Sequence, residues 1–282
     1  MTHYKDKTAF VTGAASGIGF ALSRALLAKG ANVMMADVNG PGLVEAVQRL
    51  GGASDRLAST VCDVRKPASV KAAADATIEA FGKVHIVMNN AGVALTGRSG
   101  SIDLKDWQWI VDINLMGVIY GVEIFTPLIK AHGEGGYILN SASMAGHMTT
   151  EFMPPYHATK FAVVGYSESI AQELTGHNIQ VTCLCPTWVK TNIAGSGKAR
   201  PSAGHQKSKQ NQMIKQAHDV VADLIAKGMD APRMAELTLA MMGEGRMHVF
   251  NDPEARPAID IRAKTLAEDY DAALAWMKAN PE

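Results

Sequence analysis

The chain has 282 residues, of which 47% are hydrophobic and 19% charged, and its formal net charge is +0 at pH 7. This length and composition favour one globular domain and exclude an intrinsically disordered chain. A neutral chain carries no overall field that would draw it to nucleic acid or to an anionic membrane, so neither is expected as a partner.

Short apolar runs alternate with longer amphipathic stretches, a pattern typical of repeated βα units around a parallel sheet. The predicted strands are Thr8–Thr12, Asn32–Asp37, Leu57–Cys62, Val84–Asn89, Tyr137–Ser141, Gln180–Cys185 and Met247–Phe250. The predicted helices are Gly17–Lys29, Pro41–Leu50, Pro67–Phe81, Leu104–Ala131, Tyr156–Leu174 and Pro232–Met242. Strands that are apolar on both faces need helices on both sides. The pattern therefore predicts a single α/β domain over residues 1–282, built on a doubly wound, parallel, seven-stranded sheet of the Rossmann type.

Two segments break this alternation. The first, about 192–228, is rich in Gly, Ser, Lys and Gln and predicts a polar insertion, a loop followed by a loosely packed helix. It has two interpretations, a lid that orders over a bound ligand or a solvated insertion. The second, about 253–282, predicts a C-terminal helical extension that packs across the sheet or against a partner subunit.

The cysteines and the N-terminus predict the cellular compartment. Cys62, Cys183 and Cys185 lie in apolar runs and form neither a disulfide framework nor CxxC pairs. The first seven residues are polar, so no signal peptide is predicted, and no apolar run is expected to span a bilayer. A reducing, cytoplasmic location is therefore expected.

A glycine-rich segment, TGAASGIG, follows the first predicted strand and opens the first helix. Gly13, Gly17 and Gly19 permit a tight turn that brings backbone amides and a helix N-terminus against a pyrophosphate. Asp37, at the end of the second strand, is placed to accept hydrogen bonds from ribose hydroxyls and would repel a 2′-phosphate. Since no Arg or Lys lies in the glycine loop or directly after Asp37, NAD is favoured over NADP. The alternative is that Asp37 caps the next helix.

Tyr156 and Lys160 are four residues apart, so a helix places both side chains on one face. Hydride transfer at a carbinol carbon requires proton transfer at its oxygen, and a phenol with a pKa of about 10 is a weak base at neutral pH. A neighbouring ammonium favours the phenolate and would lower the pKa of Tyr156. Tyr156 is therefore predicted to transfer the proton, with Lys160 as its electrostatic partner.

The TGxxxGIG spacing and the YxxxK motif resemble those of the short-chain dehydrogenase/reductase family. The resemblance implies that Ser143, thirteen residues before Tyr156, binds the substrate oxygen, with Ser141 as the competing candidate. It also implies that Lys160 bonds the nicotinamide ribose, and that Asn114 holds a water linking Lys160 to solvent. Asn114 could equally be a helix asparagine that is satisfied locally. The catalytic set implied is Asn114, Ser143, Tyr156 and Lys160.

The same resemblance implies further contacts with the cofactor. Asp63-Val64 matches the pair that contacts adenine, the Asn89–Gly92 segment matches the NNAG motif, and the Pro186–Thr191 segment resembles PGxVxT at the nicotinamide carboxamide. Thr187 departs from the family's Gly, which puts the local backbone path in question. The full predicted cofactor-binding set is Gly13, Ser16, Gly17, Ile18, Gly19, Asp37, Asp63, Val64, Asn90, Ala91, Gly92, Tyr156, Lys160, Pro186, Val189 and Thr191.

The resemblance implies hydride transfer between NAD and an alcohol/ketone pair, but it does not name the substrate. The segments expected to wall the pocket are mainly apolar, which favours a hydrophobic or aromatic secondary alcohol. The candidate substrate residues are Met144, His147, Phe152, Met153, Trp188 and Ile193, each of which could instead be packing. The segment from Thr191 onward also resembles that of bacterial Cα-dehydrogenases of lignin-derived aryl ethers, which oxidise a benzylic alcohol to an aryl ketone.

Two other functions stay open from the sequence, an NAD-binding redox-sensing module without turnover and a carbonyl reductase that prefers NADPH. The resemblance further implies a homodimer or homotetramer formed through the helices Leu104–Ala131 and Tyr156–Leu174. No metal is predicted, because paired-ligand spacing is lacking around His147, His157, His205 and His218.

Overall fold

The structure, a computed structural model, describes residues 3–202 and 212–281. Within them, nine strands are present: β1 (Thr8–Thr12), β2 (Asn32–Asp37), β3 (Leu57–Val61), β4 (Ile86–Asn89), β5 (Gly136–Ser141), β6 (Ile179–Leu184), β7 (Val189–Lys190), β8 (Met229–Asp230) and β9 (His248–Val249). Seven form one parallel sheet in the order β3-β2-β1-β4-β5-β6-β9. The predicted doubly wound, seven-stranded Rossmann-type fold is confirmed.

The helices cover both faces of this sheet. They are α1 (Gly17–Ala28), α2 (Gly40–Arg49), α3 (Pro67–Phe81), α4 (Leu104–Val111), α5 (Gly117–His132), α6 (Pro154–Leu174), α7 (Gln212–Lys227), α8 (Ala231–Gly243) and α9 (Arg256–Ala279). Side chains of β1 alternate between the two faces of the sheet, which explains the two helical layers. Ala9 and Val11 enter the core under α1 and α8, whereas Phe10 enters the core under α3 and α5. Phe10 stacks there on Phe125, with ring centroids 4.4 Å apart.

The predicted helix Leu104–Ala131 is two helices joined by a π-helical turn, Asp112–Met116. By length and composition alone, Leu104–His132 could cross a membrane, contrary to the expectation that no run is long enough. The core helix of a globular protein meets the same criterion, and α5 has this role, because its Val118, Val122, Phe125 and Ile129 are buried under the sheet.

The polar insertion begins and ends beside two short strands that were not predicted. β7 and β8 pair in parallel, with Val189 opposite Met229. Between them the structure describes a 3₁₀ segment, Ile193–Ala199, and the helix α7. A two-residue strand is too short to give an alternating pattern, so sequence periodicity could not reveal this pairing.

The C-terminal extension forms α9, which does not pack across the sheet, so of the two expected packings only that against a partner subunit stays a prediction. None of the residues of α9, all of which are described, is buried, and every residue from 260 to 279 is exposed. Its contact with the body lies near its start, where the Arg262 guanidinium sits 5.1 Å from the ring centroid of Phe161.

Candidate active site

The glycine loop after β1 has the shape that a phosphate group requires. Gly13 and Gly17 adopt φ values of +65° and +55°, and a Cβ on Gly19 would lie 2.3 Å from the carbonyl oxygen of Gly13. Ser16 is the N-cap of α1, and its side chain makes no capping hydrogen bond. Ile18 is half-buried against the core behind the loop. The first N–H groups of α1 therefore lack a side-chain acceptor and fit an anion approaching the helix N-terminus.

Asp37 holds this loop from the end of β2. Its carboxylate accepts hydrogen bonds from the backbone N–H groups of Ala15 (3.1 Å) and Asn39 (2.9 Å). The N-cap of α2 is Asn39, whose side chain accepts from the N–H of Gly42. The alternative that Asp37 merely caps the next helix is therefore wrong, and its carboxylate lies beside the glycine loop.

Thr12 joins the glycine loop to the end of β4, a role that the sequence analysis missed. Its hydroxyl accepts hydrogen bonds from the N–H groups of Asn90 (2.9 Å) and Ala91 (3.0 Å), and the Asn90 side chain donates to the Thr12 carbonyl (3.0 Å). A Cβ on Gly13 would lie 3.0 Å from the Cα of Ala91, so the two loops touch. A buried polar residue at the C-terminal end of the first strand was the available signal.

Asp63 and Val64 follow β3 at the same edge of the sheet. The Asp63 carboxylate accepts two hydrogen bonds of 2.8 Å from the Arg65 guanidinium, which hold the pKa of Asp63 below its usual value. The Val64 side chain is buried, and it packs against Gly117 at the start of α5, where a Cβ would lie 2.9 Å from it. The Asp63 N–H donates to Ser69 Oγ (3.0 Å) and its carbonyl accepts from the Lys66 N–H (3.0 Å), so these backbone groups, like the Val64 side chain, are already engaged within the chain.

Ser143, Tyr156 and Lys160 converge at the C-terminal end of β5. Ser143 caps a 3₁₀ turn, and its hydroxyl donates to the Pro186 carbonyl (3.3 Å) and is hydrogen-bonded with Tyr156. The Lys160 ammonium lies 5.6 Å from the centre of the Tyr156 ring and donates to the Ser141 carbonyl (2.7 Å). The Ser141 hydroxyl donates instead to the Asn90 side chain (3.4 Å). Geometry therefore favours Ser143 over Ser141.

The pKa of Tyr156 differs from the expectation, and the pKa of Lys160 is shifted as well. Burial raises the pKa of Tyr156, and the hydrogen bond with Ser143 opposes that shift only in part. Burial also lowers the pKa of Lys160 to about 8. The expected lowering of the Tyr156 pKa by Lys160 is not found in the chain alone. The Lys160 ammonium donates to the Ser141 carbonyl, and the burial of Tyr156 sets the direction of its pKa shift.

Asn114 lies in the π-helical turn between α4 and α5 and is fully buried. Its carboxamide accepts from the Val93 N–H (2.8 Å) and donates to the Val93 carbonyl (2.9 Å). A Cβ on Gly92 would lie 3.5 Å from Asn114 Oδ1 and 3.6 Å from Lys160 Nζ, so the three residues are neighbours. A single-turn π-helix often marks a functional site. Here it places Asn114 beside Lys160 while it clamps the chain after Gly92.

The segment after β6 closes the site from the other side. The Pro186 carbonyl accepts from the N–H of Met144 (2.9 Å), and the buried Val189 begins β7. Thr191 reaches the glycine loop, where a Cβ on Gly17 would lie 3.1 Å from its methyl group. The Thr187 backbone is not in the left-handed region. Three of the described non-glycine residues have a left-handed backbone, and Thr187 is not one of them. The path here therefore does not require the glycine that the family has.

The six candidate substrate residues do not share one cavity. Met144 lines a cavity of about 610 Å³ at the base of α9, whereas Phe152 lines one of about 430 Å³ with Arg98 and Glu151. Phe152 has a left-handed backbone with φ of 65°, a strained conformation for an aromatic residue. The other four are half-buried around the site: His147, Met153, Trp188 and Ile193.

His147 belongs to an aromatic group beside the larger cavity. Its Nε2 lies 3.3 Å from the Cys185 sulfur, and its ring centroid lies 5.5 Å from that of His248 and 5.2 Å from that of Phe250. Burial lowers the pKa of His147, with His248 acting in the same direction. His147 is therefore expected to be neutral at pH 7, as an apolar pocket wall requires.

A buried carboxylate fastens the polar insertion to α4. Asp106 is 3% exposed, and it accepts hydrogen bonds from the N–H (3.1 Å) and the hydroxyl of Ser202. The Arg200 guanidinium lies 3.4 Å from the same carboxylate. Ser196 adds a second tie by accepting from the Ala94 N–H (2.9 Å). The first half of the insertion, to Ser202, is thus tied to α4 and to the segment after Gly92.

Replacing Asp106 with alanine is expected to release this segment. Hydrogen bonds to a charged group contribute about 1.5–3 kcal/mol each, so trypsin should cleave after Lys198 at least ~10-fold faster. Asp103→Ser on the same helix is the control, because serine keeps the N-cap that Asp103 provides. Equal cleavage rates in the two variants would contradict the assignment.

Among the described residues, one group of possible metal ligands converges: His85, His132 and Glu134. The Thr8 N–H donates to His85 Nδ1 (3.1 Å), the Glu134 N–H donates to His132 Nδ1 (3.2 Å), and two lysines bind the carboxylate. These contacts already use the lone pairs that a metal would need. The histidine at position 205 lies outside the described residues.

Comparison with known proteins agrees with this geometry. The sequence profile of the family described as "short chain dehydrogenase" matches residues 7–201. The "CLA biosynthesis dehydrogenase/reductase" of Lactiplantibacillus plantarum is 31% identical over 95% of this chain and 96% of its own length. The "C alpha-dehydrogenase" of Sphingobium sp. strain SYK-6 is 28% identical over 100% of this chain and 91% of its own length.

A solved structure extends the likeness to three dimensions. The short-chain dehydrogenase/reductase from Burkholderia phymatum, in complex with NAD, superposes with a TM-score of 0.90. It is 32% identical and covers 95% of this chain and 97% of its own. The likeness therefore extends over nearly the whole chain.

Proposed function

Because the chain belongs to the short-chain dehydrogenase family, we propose that it transfers hydride between NAD and a hydrophobic, aryl-bearing secondary alcohol or the corresponding ketone. One observation carries this proposal: Ser143, Tyr156 and Lys160 lie together beside the glycine loop, within a dehydrogenase/reductase fold.

The residues present fit a dinucleotide. The crowded glycine turn, the N-terminus of α1 without a side-chain acceptor and the carboxylate of Asp37 lie in a row along the sheet edge. When bound, the dinucleotide supplies the hydride acceptor or donor. The chain would hold it through backbone N–H groups of the glycine loop, through Asp37 toward a ribose, and through the segments after β3, β4 and β6.

Residues of the chain itself would bind the substrate oxygen and transfer the proton. Ser143 Oγ and Tyr156 Oη are hydrogen-bonded with each other and would both bind the substrate oxygen. A proton would move between that oxygen and Tyr156 Oη, and the Lys160 ammonium, which donates to the Ser141 carbonyl in the chain alone, would stabilise the phenolate on turning toward it. Asn114 would fix the backbone after Gly92, so that Lys160 keeps its place.

Two observations support an aryl substrate. The cavity beside Met144 is lined mainly by apolar side chains, among them Leu237, Phe250 and Ile259. The C alpha-dehydrogenase relative aligns along this whole chain, including the insertion and the C-terminal helix. The wall of this cavity also carries three charged side chains: Asp252, Arg256 and Asp260. The apolar part of the wall, rather than a lack of charge, is therefore what favours an aromatic ring over a sugar.

Nicotinamide absorbance tests the proposal directly. The chain is incubated with NAD or NADP and a panel of benzylic, alicyclic, aliphatic and sugar alcohols. We expect NAD reduction, with kcat/KM at least ~10-fold higher for benzylic alcohols, which corresponds to about 1.4 kcal/mol of differential binding. Equal rates across the panel would remove the aryl assignment. Tight NAD binding without turnover of any alcohol or ketone would favour the redox-sensing module instead.

Replacing Asp37 with asparagine is expected to relax the preference for NAD. The variant loses the charge that repels a 2′-phosphate and keeps one oxygen that can accept from the Ala15 N–H, so the NAD/NADP ratio of kcat/KM should fall by about 10²-fold. Asp37→Ala should bind both dinucleotides more weakly, because the Ala15 and Asn39 amides then lose their acceptor. A wild-type preference for NADP would contradict the assignment.

A further inference from the structure

The helix α9 presents an apolar stripe to solvent. Its members recur at spacings of four and three residues, which keeps them on one side of a helix: Ile259, Ala263, Leu266, Tyr270, Ala273 and Met277. All but Ile259 are exposed, and Tyr270 and Met277 are 68% and 62% exposed. A helix of 24 residues is about 36 Å long, so this face amounts to roughly 350 Å². A patch of that size is comparable with the largest apolar patch of an ordinary monomer, which is often functional.

The stripe is symmetric about residue 268. In an antiparallel pairing of two such helices, Leu266 falls opposite Tyr270, Ala263 opposite Ala273, and Ile259 opposite Met277. Small side chains therefore meet small ones, and large side chains meet large ones. A parallel pair of the same helices would match side-chain sizes equally well, so the direction of pairing has to come from the charges. The stripe thus fits a second copy of this chain around a two-fold axis.

The charges of α9 support the same arrangement. The first half, to residue 264, carries three cations and one carboxylate, and the second half, from 268, carries three carboxylates and one cation. Antiparallel pairing sets each basic half against an acidic half, and it also opposes the two helix dipoles. The groups concerned are Arg256, Asp260, Arg262, Lys264, Glu268, Asp269, Asp271 and Lys278.

A cavity lies where the end of the second helix would arrive. The register sets the partner's Met277 and Trp276 opposite Ile259 and Asp260, and both of these residues line the cavity of about 610 Å³ beside Met144. Phe250, 39% exposed, lines it too. Trp276 is 67% exposed in the single chain, and an aromatic side chain buries about 150–250 Å² when covered.

We propose that α9 pairs antiparallel with the α9 of a second copy, and that the partner's Trp276 and Met277 cover the cavity beside Met144. The helix faces and the two covered cavities together bury roughly 1,200–1,500 Å², which reaches the size of a stable interface. Each subunit then completes the wall of the other's cavity. The pairing does not depend on the proposed reaction.

A matched pair of variants tests the interface on the full chain. Ala273→Glu places a carboxylate in the stripe, whereas Ala275→Glu places it on the opposite face of the same helix. Sedimentation should show that Ala273→Glu halves the oligomer of the wild-type protein, while Ala275→Glu leaves it unchanged. Both variants should keep the wild-type circular dichroism. A monomeric wild-type protein, or an oligomer that is indifferent to Ala273→Glu, would overturn the proposal.

Disulfide trapping tests the register. In Ala263→Cys/Ala273→Cys the two thiols are about 15 Å apart within one helix, so a bond can form only between copies. The native Cys62, Cys183 and Cys185 are buried and should not interfere. We expect a covalent dimer on oxidation, and none from Ala263→Cys/Ala275→Cys. A covalent dimer from Ala263→Cys alone would indicate parallel pairing, and vesicle binding by a wild-type monomer would indicate a lipid surface. Either result overturns the proposal.

Discussion

Replacing Tyr156 with phenylalanine is expected to lower kcat by about 10³-fold, within the usual contribution of a positioned acid–base group. Phenylalanine keeps the ring and removes only the hydroxyl that is hydrogen-bonded with Ser143. The Kd for NAD, measured by fluorescence quenching, should change less than ~3-fold, because the proposed contacts with the adenosine half remain.

A control on the same helix separates chemistry from packing. Tyr166 lies ten residues further along α6, and its hydroxyl donates to Glu123 (3.3 Å), away from the Tyr156 site. Tyr166→Phe should keep wild-type turnover. If both variants lose activity equally, or if Tyr156→Phe retains more than a tenth of the wild-type rate, Tyr156 does not transfer the proton.

The direction of the pH dependence follows from the same residue. Burial raises the pKa of Tyr156, so the phenolate becomes scarcer in the chain alone. Alcohol oxidation requires the base form and should accelerate as pH rises from 7 to 9, whereas ketone reduction requires the phenol and should not. A rate of oxidation that falls over this range would contradict the assignment of Tyr156 as the base.

Replacing Lys160 with methionine is expected to abolish turnover and yet to raise the free energy of unfolding at pH 7. Lys160 is 3% exposed, and burial lowers its pKa from 10.5 to about 8. Each pKa unit corresponds to about 1.4 kcal/mol. The hydrogen bond to the Ser141 carbonyl is also lost, so we expect a net gain of about 1–3 kcal/mol.

The sign of this effect depends on pH in a defined way. A base whose pKa is lower in the folded state binds fewer protons there than in the unfolded chain. The burial of Lys160 therefore lowers the free energy of unfolding of the wild-type protein by its full amount below pH 8. This loss of stability disappears as pH rises toward 10.5. The stability advantage of Lys160→Met should be constant below pH 8 and shrink at pH 10.

Urea unfolding at pH 7 and pH 10 measures this difference. Lys130→Met, at an exposed position near the end of α5, is the control and should show no such pH-dependent gain. A variant that is equally destabilised at both pH values would show that Lys160 contributes only packing and hydrogen bonding.

Much of the fold could be predicted because it rests on periodic patterns. The strands β1 and β2 have the predicted bounds, since each is a short apolar run between turn residues. The order of the motifs along the chain also placed Ser143, Tyr156 and Lys160 at one edge of the sheet. The rest depends on tertiary geometry. The pKa of Tyr156 is raised because the residue is buried, and the Lys160 ammonium faces the Ser141 carbonyl; no spacing encodes either feature.

The packing of surface elements was harder to predict, because it also depends on tertiary contacts. An apolar stripe such as that of α9 shows that a helix needs a partner, but not whether the partner is its own sheet or another molecule. The candidate substrate residues show the same limit, because Met144 and Phe152 are close in sequence and line different cavities. An apolar residue near a catalytic motif can face either side of its loop.

The π-helical turn at Asp112–Met116 fixes the rotation of α4 about its own axis. Each residue added to or removed from a helix turns everything before it by about 100°. With the turn at its present length, α4 directs Trp109 and Ile110 inward. These two residues form a cluster with Leu95, and the Tyr156 ring packs against it. Removing one residue from the turn would relax it to ordinary α geometry and swing that apolar wall out to solvent. The length of this turn therefore sets, in steps of about 100°, which side of α4 forms the apolar wall behind Tyr156.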